Sequence, residues 1–461
     1  MYGNNKLCQI KDSGREERGA KAGIYPASSL SCENIPPSLR PHKDEKGRPL
    51  GKHTKFCATP TGQGIEEKQA KQKFKKLRYK THSIIQKIMS HAEGVNRVCN
   101  CQKKRIDSGL AVGVSYNSVH KTASYSNLQL CGSHWICPIC SETHANARKQ
   151  ELQSLLVLLA KHRVYAHMLT LTVPHNINDS LDDTLAKLSK AKSELFKKGL
   201  SEFENIGHIT SVEVKYSADN GWHPHLHLIV FTKQSYRDQE IKGTLGSMLG
   251  GIGVMGYQQI ISLKWQECCE KFGLRKPSLR HGVDLKRGYD DSETSHATEL
   301  VNYILKEQLA NEMTKAHCKN GKFNTDSLTP FELALLAEGA EQDSCFAVLF
   351  REYAKAIKGK NQAKKSPKLV SFLKSIQEPE EDENNKSESE EENKKAVYEL
   401  TDKEWRLLCA DHERRGKFLV LIEQDLLDLG DETEIFPKAD SFLNLLLEGS
   451  RGGTSPAQGI I

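Results

Sequence analysis

The sequence lacks any apolar run long enough to cross a bilayer. Its longest uninterrupted apolar stretch, Leu155 to Ala160, falls far short of the roughly 18 residues that a membrane span requires. The first residues, Met-Tyr-Gly-Asn-Asn-Lys, also lack the apolar stretch of a secretory signal. With 37% apolar and 27% charged residues, the composition excludes a membrane protein, and we expect a cytoplasmic one.

A disulfide framework is absent as well. The 13 cysteines are odd in number, and they cluster in one part of the chain rather than being spread along it. Clustered thiols in a reduced chain are typical of a structural zinc site, in which four thiolates close a tetrahedral shell. The clustered cysteines are Cys99, Cys101, Cys131, Cys137 and Cys140. His134 and His144 are competing ligands, so the spacing alone leaves the ligand set open.

Charge is unevenly distributed along the chain. The formal net charge is +7, and residues 1–110 carry 23 Lys and Arg against 10 Asp and Glu. Residues 378–392, in contrast, hold nine acids against one lysine. A strongly basic segment favours a polyanionic partner such as nucleic acid, although a run of lysines also fits the solvated face of a helix.

Composition shifts divide the chain into five predicted segments. They are a disordered N-terminal segment (1–64), a basic helix with the cysteine-rich, zinc-binding region (65–161), a core (162–370), an acidic linker (371–395) and a small helical C-terminal region (396–461). In the second segment, apolar residues from Phe74 to Ile88 recur on one stripe of a helix. In the last, helical periodicity surrounds Trp405 from Val397 to Leu447.

The core segment alternates between strand and helix patterns. The predicted elements are strand 164–173, helix 180–199, strand 209–216, strand 223–231, helix 257–272, strand 282–286 and helix 295–309. The second and third strands are separated by Asp219-Asn220-Gly221, which is a hairpin signal. This order predicts an α+β fold in which an antiparallel sheet carries helices on one face.

The most informative motif is the predicted strand that begins at Trp222. Successive side chains of a strand point to opposite faces, so His223, His225 and His227 share one face. Imidazoles at this spacing can hold one divalent cation together with a ligand from a neighbouring element, and Glu213 lies in the preceding strand. Two histidines and a carboxylate leave coordination positions open for water and a phosphate oxygen.

A second group of polar side chains lies on the last predicted helix of the core. Glu299 and Tyr303 are four residues apart and Tyr303 and Lys306 three apart, so all three share one helical face. Taken alone, this spacing is equally typical of a helix with a core tyrosine and an ordinary surface contact.

Together and in this order, these motifs resemble the replication initiators of small rolling-circle plasmids, within the HUH endonuclease superfamily. The resemblance covers roughly residues 70–370. Its motifs are LTLTVP (169–174), GWHPHLH (221–227), ELVNY (299–303) with Lys306, the Cys131-x5-Cys137-Pro-x-Cys140 pattern and FREYAKAIKG (350–359). One departure is the Cys99-Asn-Cys101 pair, where the family has a single cysteine. We match Cys101 to it, which leaves the role of Cys99 open.

The resemblance implies a fold, an activity and partners. The fold would be an HUH nuclease core of the ferredoxin-like, RRM-like type, with zinc held by Cys101, Cys131, Cys137 and Cys140. Such proteins bind the double-strand origin of a plasmid, nick one strand and stay joined to its 5′ phosphate through a tyrosine, here Tyr303. His225 and His227, with Glu213 or His223, would hold Mg²⁺ or Mn²⁺, and Lys306 would stabilise charge. Host helicase, single-strand-binding protein and DNA polymerase would then act on the released 3′ end.

Glu299 carries a further implication of the resemblance. A carboxylate one helical turn before the nucleophile can act as general base for a water molecule, which would end the cycle by hydrolysis. Three other hypotheses for the function remain. A conjugative relaxase has its tyrosine before the histidine motif, whereas Tyr303 follows it. An HUH single-strand transposase usually has two tyrosines, and a non-catalytic zinc-dependent origin-binding repressor would retain only the fold.

Overall fold

A computed structural model gives the fold of this chain. It describes residues 6–7, 27–28, 63–94, 96–200, 205–233, 256–287, 327–361, 363–376 and 394–450. The helix predicted over 295–309, with Glu299, Tyr303 and Lys306, lies outside the described residues, as does nearly all of the segment predicted to be disordered. None of the helices within the described ranges is long and apolar enough to cross a membrane.

The described elements alternate between helices and strands. In chain order they are α1 (Gln63–Ser90), a 3-10 turn (Arg97–Asn100), β1 (Val112–Asn117), β2 (Thr122–Ser126), α2 (Pro138–Lys161), β3 (Tyr165–Thr172), α3 (Leu181–Glu194) with a π-helical extension (Leu195–Gly199), β4 (Asn205–Ser217), β5 (Gly221–Thr232), α4 (Tyr257–Lys271), β6 (Val283–Arg287), α5 (Pro330–Leu336), α6 (Cys345–Ala356), β7 (Ala363–Lys365), α7 (Pro367–Ile376), β8 (Lys394–Leu400), α8 (Asp402–Cys409), α9 (Arg414–Leu429) and α10 (Pro437–Gly449). Two further strands, Lys6–Leu7 and Ala27–Ser28, pair only with each other.

These elements form two compact units. The sheet unit comprises Met1–Pro49, Ser141–Ala337 and Asp343–Glu378. The cysteine unit comprises Leu50–Cys140, Glu338–Gln342 and Pro379–Ile461.

The sheet unit is built on five strands in the order β6-β3-β5-β4-β7. Every neighbouring pair is antiparallel, as the strand order of the sequence predicts. The central β4–β5 hairpin closes between Ser217 and Gly221. Gly221 has a φ of +73°, and a Cβ there would lie 2.7 Å from the Cα of Ile177. The turn therefore requires glycine both for its backbone conformation and for its close approach to the loop after β3.

Helices pack on both faces of this sheet, so the prediction of helices on one face is wrong. On one face, α3 and α4 bury Leu226, Leu228 and Val230 of β5 in an apolar core that includes Trp265. On the other face, α2 and α7 cover Ile229 and its neighbours, but only over half of the strand. Both α2 and α7 carry apolar residues, and these are buried in this second core. The other half of the face carries His225 and His227 instead.

The described residues of the cysteine unit form a three-stranded sheet and four helices. Its strand order is β8-β1-β2, and both pairs are antiparallel. Residues 397–400, predicted to be helical, belong to β8, and Leu400 pairs with Val112 of β1. Pairing with a strand almost 300 residues earlier in the chain overrides the local periodicity. Helices α1, α8, α9 and α10 pack their apolar residues against this sheet in one core.

Helix α1 does not bury the whole stripe predicted for it. Phe74 is 44% exposed, whereas Ile84, Ile85 and Ile88 are fully buried. Lys75, a neighbour of Phe74, is buried instead and pairs with Glu423 of α9, while also donating to the carbonyl of Ala123. A buried ammonium group needs such partners, and only α9 and β2, distant in sequence, supply them.

Candidate metal centres

One candidate centre lies on the half of the sheet face that α2 and α7 leave uncovered. Glu213 of β4 is directly opposite His225 of β5, and on the other side of β5 Thr172 of β3 faces the same histidine. Two residues further along β5, His227 is flanked in the same way by Ser211 and Thr170. Because side chains two residues apart share a face, the strand register itself brings these groups together.

The geometry of Glu213, His225 and His227 is that of a ligand group. One carboxylate oxygen of Glu213, Oε2, accepts hydrogen bonds from His225 Nε2 at 2.6 Å and from His227 Nε2 at 2.8 Å. The three ligand atoms lie within 4.8 Å of one another, and all three residues are largely buried. The second oxygen, Oε1, is buried without a hydrogen bond among the described residues.

This arrangement fits a divalent cation. Two imidazole nitrogens and a carboxylate form a mixed nitrogen and oxygen donor set that several divalent metals accept. The buried Oε1 atom lies 3.6 Å from the ammonium group of Lys215, and a metal cation would be a closer partner for it. Burial by itself raises the pKa of Glu213, but hydrogen bonds from His225 and His227 hold that pKa well below its usual range, so the carboxylate is ionised.

Thr170 is a residue of this centre that the sequence analysis did not single out. Its hydroxyl lies 3.2 Å from Nδ1 of His227. A partner on Nδ1 fixes the orientation of the ring and directs Nε2 towards Glu213. The alternation of Thr170 and Thr172 within the LTLTVP motif was the available signal, because it places both hydroxyls on one face of β3.

His223 lies apart from the ligand group. Its ring stacks on that of His175, in the loop after β3, with the ring centroids 4.1 Å apart. Burial, with the neighbouring rings of His225 and His175, lowers the pKa of His223 to about 3, so the stacked ring is neutral. Of the three histidines predicted as ligands, the structure therefore groups His225 and His227 with Glu213, and not His223.

The start of β5 is anchored by an aromatic contact. The indole Nε1 of Trp222 donates to Oε1 of Glu352 at 3.0 Å, and the ring stacks on that of Tyr353. Both partners belong to α6 and to the FREYAKAIKG motif. Because Trp222 precedes the histidines directly, α6 helps to hold their strand in place.

The second candidate centre is the cysteine cluster. The Sγ atom of Cys101 lies 3.6 Å from that of Cys137 and 3.8 Å from that of Cys140, which is 3.7 Å from that of Cys131. A zinc–sulfur bond of about 2.3 Å in a tetrahedron places sulfur atoms about 3.8 Å apart. These four sulfurs could therefore close such a shell, and neither His134 nor His144 belongs to the group. Cys99 points its thiol to the carbonyl of Gln86 instead.

Backbone amides surround these sulfurs. The amides of Cys131, Ser133 and Cys140 donate to the sulfurs of Cys101, Cys131 and Cys137, respectively, at 3.4 to 3.5 Å. Hydrogen bonds to sulfur favour the thiolate form, which is the form that binds metal.

A buried polar network outside the cluster holds the Cys101 loop. Gln86 of α1 donates to the carbonyl of Cys101 at 2.7 Å, and Arg415 of α9 donates to the carbonyl of Gln102 at 2.8 Å. The same guanidinium donates to Gln86 Oε1 and Ser83 Oγ, so one fully buried cation joins α1, α9 and the loop. This role of Arg415 could not be predicted from the sequence, because its partners are more than 300 residues away.

Comparisons with known proteins complete this description. A family model described as "Replication protein" matches residues 124–243. The predicted resemblance to replication proteins is confirmed. The matched segment contains Glu213, His225, His227 and three of the four cysteines whose sulfur atoms lie together, namely Cys131, Cys137 and Cys140. It ends before Glu299, Tyr303 and Lys306.

Curated relatives show the same similarity. The chain is 25% identical over 252 residues to a "Protein rep" from Streptomyces lividans, covering 46% of this chain and 54% of the relative. It is 26% identical over 147 residues to a "Neomycin resistance protein" from Streptomyces cyanogenus, with 25% and 34% covered. A "Protein rep" from Lentilactobacillus hilgardii is 25% identical over 103 residues, with 22% and 33% covered. The chain thus spans about half or less of the length of these relatives. No solved structure matches.

Proposed function

We propose that this chain is a rolling-circle replication initiator with an HUH-type nuclease core, which nicks one strand of a plasmid origin. The observation that carries the proposal is the convergence of Glu213, His225 and His227 on one sheet face, within a segment that is similar to replication proteins. Tyr303 is the proposed nucleophile, and Glu299 and Lys306 are its proposed neighbours on one helical face.

In this proposal, Glu213, His225 and His227 would hold Mg²⁺ or Mn²⁺, and the bound ion would supply positive charge to polarise the scissile phosphate. Glu213 and the two rings are already held in register by the β4–β5 hairpin, and Thr170 orients His227. The phenol oxygen of Tyr303 forms a bond to phosphorus and loses its proton, while the bond from phosphorus to the 3′ oxygen breaks and that oxygen gains a proton. Lys306 stabilises the charge that develops during the transfer.

The products of the nicking step account for the roles proposed for host proteins and for Glu299. The 5′ phosphate stays on Tyr303, and the free 3′ hydroxyl is a primer for a host DNA polymerase acting with a helicase and single-strand-binding protein. Glu299, one helical turn from Tyr303, removes a proton from the water that hydrolyses the phosphotyrosyl bond at the end of the cycle. The cysteine cluster holds a structural Zn²⁺ ion, for which the sulfur separations near 3.7 Å are suitable.

The experiment is a nicking assay on supercoiled plasmid and on a short single-stranded oligonucleotide from the origin. The purified protein should nick both substrates in the presence of Mg²⁺ or Mn²⁺. Nicking should stop when the metal is chelated. Glu299→Ala should nick and form the covalent adduct at near-normal levels but fail in hydrolysis, so that the adduct persists. In a replication reaction with a DNA polymerase, multimeric single-stranded products should accumulate.

Two results would contradict this scheme. Origin binding by the wild-type protein without nicking would favour the non-catalytic repressor. Loss of the first nick in Glu299→Ala would make the glutamate a metal ligand or the base for tyrosine itself, and the assignment to termination would be wrong. Glu299→Gln serves as the matched variant, because it keeps the size of the side chain but cannot accept a proton.

The structural zinc has its own test. Cys137→Ser should lose about one equivalent of bound zinc and lower the thermal stability of the protein, because the metal contributes directly to folding. Cys99→Ser is the matched control, since Cys99 lies outside the four-sulfur group, and it should keep its zinc. Elemental analysis of the reduced proteins measures the bound zinc. A wild-type protein without zinc would contradict the assignment of a structural zinc site.

A further inference from the structure

A strongly basic segment forms one edge of the sheet unit and has no part in the chemistry described above. Residues 351–376, from α6 through β7 to α7, contain eight Lys and Arg residues and a single acid, Glu352. The acid is occupied by its hydrogen bond from Trp222. The segment is therefore a concentration of positive charge on a folded surface.

Two of its lysines form ion pairs with acids of the described residues. Lys360 contacts Asp182 at 2.8 Å, and Lys365 contacts Glu151 at 2.6 Å. The other five lysines are all exposed, and within the described ranges none of them forms an ion pair with a carboxylate. They are Lys355, Lys358, Lys364, Lys368 and Lys374, and we call them the basic edge.

The basic edge is reinforced by a lysine from α3. Lys192 is half-buried and lies 3.5 Å from the hydroxyl of Thr210, which pairs with Lys364 in the sheet. Burial lowers the pKa of Lys192, and the positive charge of Lys364 lowers it further. Lys192 and Lys364 are two positive charges held close together, and an anion bound between them would be stabilising.

The edge lies next to the candidate metal centre. Ala363 of β7 pairs with Ser211 of β4, which in turn pairs with His227 of β5. Two strand spacings separate β7 from His227, or about 10 Å. Because side chains alternate along a strand, Lys364 shares the α3 face with Thr210, whereas Ser211 and His227 project on the other face. A polyanion lying along β7 would therefore follow the sheet edge about two strand spacings from the candidate metal centre.

We propose that the basic edge binds the phosphate backbone of duplex DNA beside the nick site, and this rests on the proposed function. Single-stranded DNA is held largely by stacking of bases on exposed aromatic rings. The only aromatic residues of the segment are Tyr353 and Phe372, of which Tyr353 is fully buried and Phe372 packs against the apolar core under α7. Charge without stacking platforms matches the contacts that proteins make to a duplex backbone, which position the protein without reading sequence.

The test is the salt dependence of binding to a duplex of arbitrary sequence by the full-length protein. The double variant Lys364→Gln/Lys368→Gln should bind roughly tenfold or more weakly at low salt. The slope of log K against log salt should become shallower by about 2, because each phosphate contact contributes about 0.9. The matched control is Lys360→Gln/Lys365→Gln, which removes the same net charge from lysines already paired with acids. This control should keep the wild-type slope.

Three outcomes would overturn the proposal. The first is an unchanged slope in the Lys364→Gln/Lys368→Gln variant, and the second is an equal loss in both double variants, which would reflect net charge alone. The third is a loss of affinity for single-stranded oligonucleotide with duplex affinity unchanged. Cleavage of the short oligonucleotide is measured in parallel. If the wild-type protein fails to cleave it, the proposed function falls, whereas the slopes still decide whether the edge binds duplex DNA.

Discussion

Replacing Tyr303 with Phe is expected to abolish nicking, by at least about a thousandfold, while origin binding stays near the wild-type level. The substitution removes only the hydroxyl oxygen that attacks phosphorus, and the ring keeps its shape. Nicking of supercoiled plasmid measures the first effect, and an electrophoretic shift with origin DNA measures the second. With a substrate labelled at the scissile phosphate, peptide mapping of the wild-type adduct should find the label on the peptide that contains Tyr303.

Tyr216 and Tyr353 provide the comparison for this result. Both are buried, at 5% and 0% exposure, and each packs against Trp222 rather than facing the candidate metal centre. Tyr216→Phe should therefore nick at close to the wild-type rate. An adduct mapped to Tyr216 or Tyr353, or full activity in Tyr303→Phe, would refute the assignment of the nucleophile.

Removing His225 or His227 is expected to reduce nicking by a similar factor. His225→Ala or His227→Ala should eliminate metal-dependent cleavage, because each deletes one of three ligand atoms and also leaves Glu213 with one hydrogen bond fewer. Glu213→Ala should lose activity at limiting metal but recover partly at high Mn²⁺, since a carboxylate is the more replaceable hard ligand. Cleavage rates across a Mn²⁺ titration, with binding of the metal measured directly, give the comparison.

Two milder variants separate metal binding from general damage to the sheet. Thr170→Val keeps the shape of the side chain but removes the hydroxyl 3.2 Å from His227, and should weaken metal affinity by roughly 10- to 100-fold without abolishing cleavage. His223→Ala should retain the metal, because His223 stacks on His175 outside the ligand group. If instead Glu213→Ala behaves like wild type at limiting metal while His223→Ala does not, His223 is the third ligand.

The part of the site that lies within one hairpin could be predicted from the sequence. His225, His227 and Glu213 are separated by a single tight turn, so strand alternation and antiparallel register are sufficient to bring them together. Local periodicity also predicted β3, β4, β5 and β6 and their antiparallel arrangement, but not the short edge strand β7. These inferences hold because the interactions involved are close in sequence and repeat with a fixed period.

Contacts between distant parts of the chain could not be predicted in this way. The helices α2 and α7 cover half of the second sheet face, yet they are separated by about 200 residues, and neither pattern indicates which face it meets. Arg415 is equally unpredictable, because an arginine in a helical pattern is normally exposed and this one is completely buried. Such roles depend on which partners the finished fold provides.

The pairing of β8 with β1 has a consequence for the order in which the protein matures on the ribosome. Residues 63–140 are synthesised early, but the strand and helices that complete their core, together with Arg415, emerge only after residue 394. Until then, the Cys101 loop lacks the guanidinium that holds the Gln102 carbonyl, and β1 has an unpaired edge. A nascent chain therefore passes through a long interval with reduced, incompletely enclosed cysteines, in which chaperones and the supply of metal have their greatest influence on the yield of folded protein.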